Sequence, residues 1–401
     1  MKLLVIEPEA SGHRMALYVR LIAREAIRRN WSFLLMTTEK AMRHPAFELV
    51  KSECVDGPAI VRMSSIQPAK RLSPMHLLLS QNQYYQSTAA AYRTLSSNDE
   101  PDMIYVANLD MFDKILPFRG TPFGETPFSG MMMSIKFHRR HVGTASPRGS
   151  DRLFGHLFKR AVAIPELRGV AVVDESFLEY TKHHTTDTFT KVHYVPDVGH
   201  LKPSESQHDA RQKLGIPADK FVVLVYGGLT ARKGVSQLIT ATQATNRNDV
   251  AILLAGVKNQ NIANELLSSP ARSLVESGRL FQSCGFHDEL KEQRVFRSAN
   301  AVWLGYIEGF TGSSGVMYQA GAAGLPVIST RHGLIGWQTE RHRLGPTVDP
   351  MDSNEIVRAI EMLVTDKSLC QQYSRNGYAL ARSHTPEAFG TGVCSMLDSL
   401  L

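Results

Sequence analysis

The sequence predicts an α/β protein built on two doubly wound parallel sheets. Three observations predict it. Short apolar runs rich in Val, Ile and Leu recur along most of the chain, as strands buried on both faces require. Amphipathic stretches of helical period lie between many of them, so the repeating unit is strand–helix–strand. A break near residue 200 separates two such series, and 401 residues suffice for two domains with separate cores. The right-handed crossover rule then makes a doubly wound sheet the natural product of each series.

In the first half the expected strands are residues 3–8, 32–37, 59–63, 103–107, 131–136 and 170–174, with helices over 14–29 and 75–95. Val195-Pro196-Asp197-Val198-Gly199-His200 closes this series, and the polar stretch 202–211 reads as a linker. In the second half the expected strands are 221–226, 250–255, 280–286, 301–304 and 326–329, with helices over 235–244 and 316–323. Residues 386–401 form an amphipathic helix that need not stay with the second domain. The expected division is therefore 1–199, 200–385, and a helix 386–401 crossing back to the first domain. No repeat of solenoid period occurs.

Composition narrows the function classes. Hydrophobic residues make up 43% and charged ones 21%, which excludes a disordered or fibrous chain. A net charge of +7 favours acidic partners: nucleotides, phosphates, nucleic acid or an anionic membrane surface. Cys54, Cys284, Cys370 and Cys394 form neither a CxxC pair nor a zinc spacing, and read as free thiols in a reducing cytosol. The N-terminal apolar run is too short for a signal peptide. No window approaches the roughly 20 apolar residues of a membrane span. The expected location is cytoplasmic, with room for peripheral attachment to the inner face of a membrane.

Three loops carry candidate chemistry. The first strand runs into Glu9-Ala10-Ser11-Gly12-His13-Arg14 and then a helix. Such a junction presents backbone N–H groups at a helix N-terminus, an anion site, although it lacks a dinucleotide GxGxxG. A tight turn that needs glycine explains it equally well. In the second half, strand 221–226 leads into Gly227-Gly228-Leu229-Thr230-Ala231-Arg232-Lys233-Gly234. Adjacent cations just beyond a strand's carboxyl end can neutralise a diphosphate, Arg232 by two hydrogen bonds and Lys233 as a point charge. A solvated basic loop is the plain alternative. Strand 301–304 then precedes Thr311-Gly312-Ser313-Ser314-Gly315, which should open the helix 316–323 and aim free N–H groups at a phosphate or sugar hydroxyl. Gln319, one turn in, offers an amide to ribose hydroxyls. Gly321 to Ala323 also read as close helix–sheet packing.

The order of these segments resembles the retaining family-four glycosyltransferases. The resemblance rests on residues 227–241, Gly285-Phe286 followed by Glu289-Leu290, Ala299-Asn300-Ala301-Val302, Glu308-Gly309-Phe310 and residues 320–328. It covers about 130 residues of the second half; the first half resembles the family more weakly, through Ser11-Gly12-His13 and residues 157–180. The resemblance implies a GT-B fold, two Rossmann-like domains facing across a cleft. It also implies a nucleoside-diphosphate-sugar donor, UDP- or GDP-linked, and retention of anomeric configuration, with no metal and no other cofactor. Carried over, Arg232 and Lys233 match the cations that hold the donor diphosphate, with Gly228 beside them. Gly12, next to His13, matches the first-domain loop glycine that approaches the donor.

The acidic motif departs from the family. Two glutamates separated by seven residues are expected; anchoring on Gly324-Leu325-Pro326-Val327 puts Gln319 at the second and Thr311 at the first, with Glu308 three residues early. Either Glu308 still reaches the sugar through a longer loop, or Thr311, Gly312, Ser313 and Ser314 take that place. The family's first-domain histidine finds its best match in His138, with His141 second. A solvated basic loop is the alternative for both. Arg139, Arg140, Arg148, Arg152, Lys159 and Arg160 make the surrounding tract basic, with Phe154, Leu157 and Phe158 interleaved. That pattern fits peripheral membrane association, an anionic acceptor or an ordinary solvated helix face. No nucleic-acid motif is present. The expected function is a retaining hexosyltransferase of surface polysaccharide or glycoconjugate biosynthesis. It uses a glycan, lipid-linked or small-molecule acceptor. A GT-B-fold nucleotide-sugar epimerase, or a catalytically silent sugar-nucleotide or glycan-binding protein, would share these features.

Overall fold

The computed structural model describes residues 1–10, 14–66, 74–184, 187–199, 205–307 and 309–401. The chain forms two compact units. The first comprises residues 1–142, 146–196 and 386–401; the second comprises 143–145 and 197–385.

The first unit is built on seven parallel strands, β1 (Lys2–Ile6), β2 (Ser32–Thr38), β3 (Ala59–Met63), β4 (Met103–Val106), β5 (Phe128–Met132), β6 (Leu167–Val172) and β7 (Val192–Tyr194), in the order β3-β2-β1-β4-β5-β6-β7. The second has six, β8 (Phe221–Tyr226), β9 (Val250–Gly256), β10 (Leu280–Cys284), β11 (Ala301–Leu304), β12 (Val327–Thr330) and β13 (Thr347–Val348), in the order β10-β9-β8-β11-β12-β13. Both orders run outward from one central strand and then reverse, the doubly wound Rossmann pattern of the GT-B fold. The sides of β8 show why the runs are apolar throughout. Val223 and Val225 enter the core on one face of the sheet, Val222 and Leu224 the core on the other. All seven residues of β9 are buried. The reversal of strand order falls between β1 and β4 in one unit and between β8 and β11 in the other. Those are the places where doubly wound sheets open a crevice beyond their carboxyl ends.

Residues 386–401 group with the first unit. Their helix, Pro386–Asp398, packs on the helix Arg20–Arg28. Phe389 stacks on Tyr18 at 4.7 Å between ring centroids. Arg29 pairs with Asp398 and donates to Ser395 Oγ at 2.8 Å.

The structure departs from the sequence reading at identifiable points. The strand expected over 131–136 lies at Phe128–Met132 instead. The amides of Met133 and Ser134 turn away to the Asp110 carboxylate, at 2.8 and 3.3 Å, and so end the strand. The two short strands β7 and β13 have three and two residues, too few for a recognisable apolar run. The helix expected from residue 14 begins as a π-helical turn, Arg14–Val19, before Arg20–Arg28. The polar stretch 202–211 is not all linker. Ser206 caps a helix, Gln207–Leu214, by accepting from Asp209 N at 3.1 Å, and Gly215 ends it in the left-handed conformation.

Candidate functional site

Strand β8 delivers the chain to the switch point of the second sheet, and the loop beyond it is fastened to the end of β11. The Trp303 indole donates to Lys233 O at 2.8 Å, and Ile307 N donates to Arg232 O at 3.0 Å. Gly234 takes φ +62°, and a Cβ there would stand 2.3 Å from Gly305 O. Only glycine permits this approach, so the turn Ala231–Lys233 is held against β11 by both its ends.

The two cations sit differently. Arg232 is exposed, with its guanidinium 4.5 Å from the Phe310 ring centroid and 5.7 Å from that of Tyr306. Lys233 is buried and donates to the Tyr226 carbonyl. Burial, helped by the charge of Arg232, pushes its ammonium down to about 8. Tyr306 stacks on Phe310 at 4.4 Å and brings its hydroxyl 3.1 Å from Ser314 Oγ. Ser314 precedes the helix Gly315–Ala322, and its side chain does not cap that helix. Cations and a helix N-terminus thus converge where the strand order reverses, an arrangement suited to a phosphate-bearing ligand.

Of the sequence-predicted residues, the structure gathers Arg232, Lys233, Ser314 and Gly315 around Tyr306 and the end of β11. Gly228 is exposed with open space about its Cα. Thr311, Gly312 and Ser313 are half-buried, and Thr311 O accepts from Leu334 N at 3.3 Å. Gln319 is not brought to the surface: it is 3% exposed and has its own partner within the protein. Residues 316–321 of its helix are all buried. Gly12, His13 and Glu308 lie outside the described residues.

His138 belongs to the first unit. It follows β5 by several residues and is fully buried rather than presented at a strand end or on a solvated loop. Its Nε2 lies 2.9 Å from Ser176 Oγ and 3.4 Å from Asp174, while Phe177 and Tyr180 pack against the ring. Burial lowers its basicity. Burial works against the Asp174 carboxylate as well, but bonds to His138, Arg139 and Ser176 hold it below the usual range. His141 lies beside Tyr180 and His184 and accepts from Arg140 Nε at 2.9 Å. In the basic tract Arg139 is buried, whereas Arg152, Lys159 and Arg160 are exposed and have no carboxylate partner among the described residues.

The sequence reading passed over several groups at the carboxyl ends of the first sheet. Glu7 is buried beside Arg14, 3.1 Å away, and burial pushes its carboxyl up to about 7. Glu9 also holds Arg14, at 3.0 Å, and accepts from the Tyr84 hydroxyl at 2.5 Å. Asp110 is pushed up to about 6 by burial and by the neighbouring Asp113. Tyr306 and Trp303 were missed in the second unit. Their only sequence signal was aromatic residues at a strand end beside the glycine loop. Among the described residues, no three or more His, Cys, Asp or Glu are grouped to hold a metal ion, and no helix is long and apolar enough to cross a membrane.

Residues 206–380 match the family model for glycosyl transferases group 1. The matched stretch lies within the second unit. It contains the cation pair, Tyr306 and the helix start at Gly315. The chain is 30% identical over 190 residues to the lipopolysaccharide core biosynthesis glycosyltransferase LpsE of Rhizobium meliloti. The match covers 47% of this chain and spans about half, 53%, of that protein. In fold, the whole chain superposes on the sucrose-phosphate synthase of Thermosynechococcus elongatus with a TM-score of 0.71 at 17% identity, covering 99% of that chain. It also superposes on Anabaena HepE in complex with UDP-glucose, with a TM-score of 0.65 at 17% identity and full coverage of both chains. These neighbours agree with two Rossmann-like units.

Proposed function

We propose that this protein is a retaining glycosyltransferase that moves a hexose from a nucleoside-diphosphate donor to an acceptor hydroxyl in surface polysaccharide or glycoconjugate assembly. The observation that carries the reading is the convergence of Arg232, Lys233 and the Gly315–Ala322 helix start at the switch point of the second sheet, within the stretch that matches the group 1 family model. The similarity to LpsE supports the polysaccharide role, and the fold shared with HepE, solved with UDP-glucose, supports a UDP-sugar donor. No metal or other cofactor enters the proposal.

In this mechanism negative charge grows on the bridging oxygen of the departing diphosphate. Arg232 and Lys233 stabilise it, together with the N–H groups at the helix start. One such donor typically accounts for about 3 kcal/mol. The acceptor hydroxyl attacks the face the leaving group vacates, and the departing phosphate takes its proton. No protein base is then needed. Because His138 is buried, its part in the proposal is to brace the segment after β5 through Ser176 and Asp174 rather than to touch the sugar. The exposed cations of the helix Asp151–Val162, with Leu153 57% and nearby Phe118 68% exposed, would rest against an anionic membrane that presents a lipid-linked acceptor.

Thermal unfolding against UDP, GDP, ADP and TDP tests the donor site. A ligand at 100 times its Kd stabilises by about 2.7 kcal/mol. We expect one nucleoside diphosphate to raise Tm, and Arg232→Ala and Lys233→Ala to abolish the rise. Equal stabilisation of both variants would sink the phosphate assignment. Product analysis with donor alone separates transfer from epimerisation, since an epimerase converts the donor without an acceptor.

A further inference from the structure

Tyr306 lies against Phe310, both cations and Ser314 of the candidate phosphate site. Its ring stacks on Phe310 at 4.4 Å with the planes 23° apart. Arg232 lies over that pair, 4.5 Å from Phe310 and 5.7 Å from Tyr306, and Lys233 Nζ lies 5.8 Å from the Tyr306 centroid. At its other end the hydroxyl meets Ser314 Oγ at 3.1 Å. The residue is buried, and burial keeps the phenol protonated by pushing its pKa up.

The contact with Ser314 has a consequence for the helix. A serine at this position usually turns its Oγ back to accept from an N–H of the first turn. Ser314 does not; its backbone is extended and its Oγ faces Tyr306. Met317 N is satisfied by Ser314 O at 3.0 Å. The amides of Gly315 and Val316 are thereby left without a side-chain cap, which is the state an anion needs. The aromatic pair meanwhile holds the exposed Arg232, whose long side chain would otherwise lose rotamer freedom on binding.

We propose that Tyr306 is a positioning residue for the donor diphosphate, fixing Arg232 through its ring and keeping Ser314 off the helix start through its hydroxyl. The inference rests on the donor reading above. Tyr306 contributes no charge and need not touch the ligand. It sets where the charge and the free amides stand before the ligand arrives.

The test is calorimetric titration of the full chain with UDP and UMP, and with GDP and GMP, in the wild type, Tyr306→Leu, Tyr306→Phe, Ser314→Ala and the Tyr306→Phe/Ser314→Ala double variant. Tyr306→Leu should weaken diphosphate binding by about three- to tenfold. Monophosphate binding should change less than about twofold, so the diphosphate-to-monophosphate ratio falls. Loss of general stability would lower both affinities together and leave the ratio alone. Tyr306→Phe, which keeps the ring but frees Ser314 to cap the helix start, should show a smaller loss that adding Ser314→Ala relieves. A folded Tyr306→Leu protein with an unchanged ratio overturns the proposal. If Tyr306→Leu does not fold, independent and additive effects of Tyr306→Phe and Ser314→Ala overturn it instead. A wild type that binds none of these diphosphates rejects the donor reading itself, a separate result.

Discussion

Lys233 shows how burial sets the charge of a candidate phosphate-binding group. Its ammonium is buried against a backbone carbonyl, and its pKa falls from 10.5 to about 8. An anion nearby favours the charged form, so nucleotide binding must draw the pKa back up. Affinity for a nucleoside diphosphate should therefore hold steady below pH 8 and decline as pH rises through and above it. Binding above pH 8 should take up a proton, seen as a buffer-dependent heat. Lys233→Arg, which cannot deprotonate, should remove both effects; their persistence in that variant would assign them elsewhere. The placement of Arg232 and Lys233 just beyond the end of β8 was legible in the sequence because strand, glycine and cation stand next to one another along the chain. Tyr306 was not, because its partners are 74, 73, 4 and 8 positions away and meet only when β8 and β11 pair. Neither was the burial of His138, since Asp174 and Ser176 come from the following strand–helix junction.

At the level of elements, the strongly apolar runs of β1, β8 and β9 were read correctly because central parallel strands must be buried on both faces. β5 was misplaced because Ser129 and Gly130 interrupt its apolar run, and β13 has too few residues to declare itself. The small residues Gly321 to Ala323 were read as helix–sheet packing. Their closest approach is instead to another helix, Lys367–Arg382: a Cβ on Gly321 would meet Gly377 O at 2.7 Å. Helix propensity alone says Gly321→Ala should stabilise by about 1 kcal/mol. Crowding of two backbones says the reverse. We expect urea unfolding to show a net destabilisation of about 1–2 kcal/mol. A stabilised variant would mean the two helices separate at little cost.

For the molecule as a whole, the net charge of +7 has a local expression. Arg152, Lys159 and Arg160 project from one helix without carboxylate partners among the described residues, beside exposed Leu153. Unpaired surface cations attract an anionic bilayer over roughly a Debye length, about 10 Å at 0.1 M salt. The protein should co-sediment with vesicles containing anionic lipid at low salt, and little at 1 M salt or with neutral vesicles. Arg152→Glu/Arg160→Glu should release it. A protein that stays in the supernatant with anionic vesicles at low salt would dismiss the membrane reading. The two units divide between residues 196 and 197, beside the proline-glycine break in the sequence. The assignment of 143–145 to the second unit was not legible there, since it follows from contacts formed only in three dimensions.

The return of Pro386–Asp398 to the first unit makes the second unit an insertion within the first. During synthesis on the ribosome, residues 1–196 emerge first, yet the helix that covers Tyr18 and the Arg20–Arg28 face is made after all of 197–385. Domains usually mature in the order they are translated. Here the later unit has every strand and core residue it needs before the earlier one can close. The second unit can thus be finished while Phe389 is still to come, and the nascent first unit must wait with an apolar helix face uncovered.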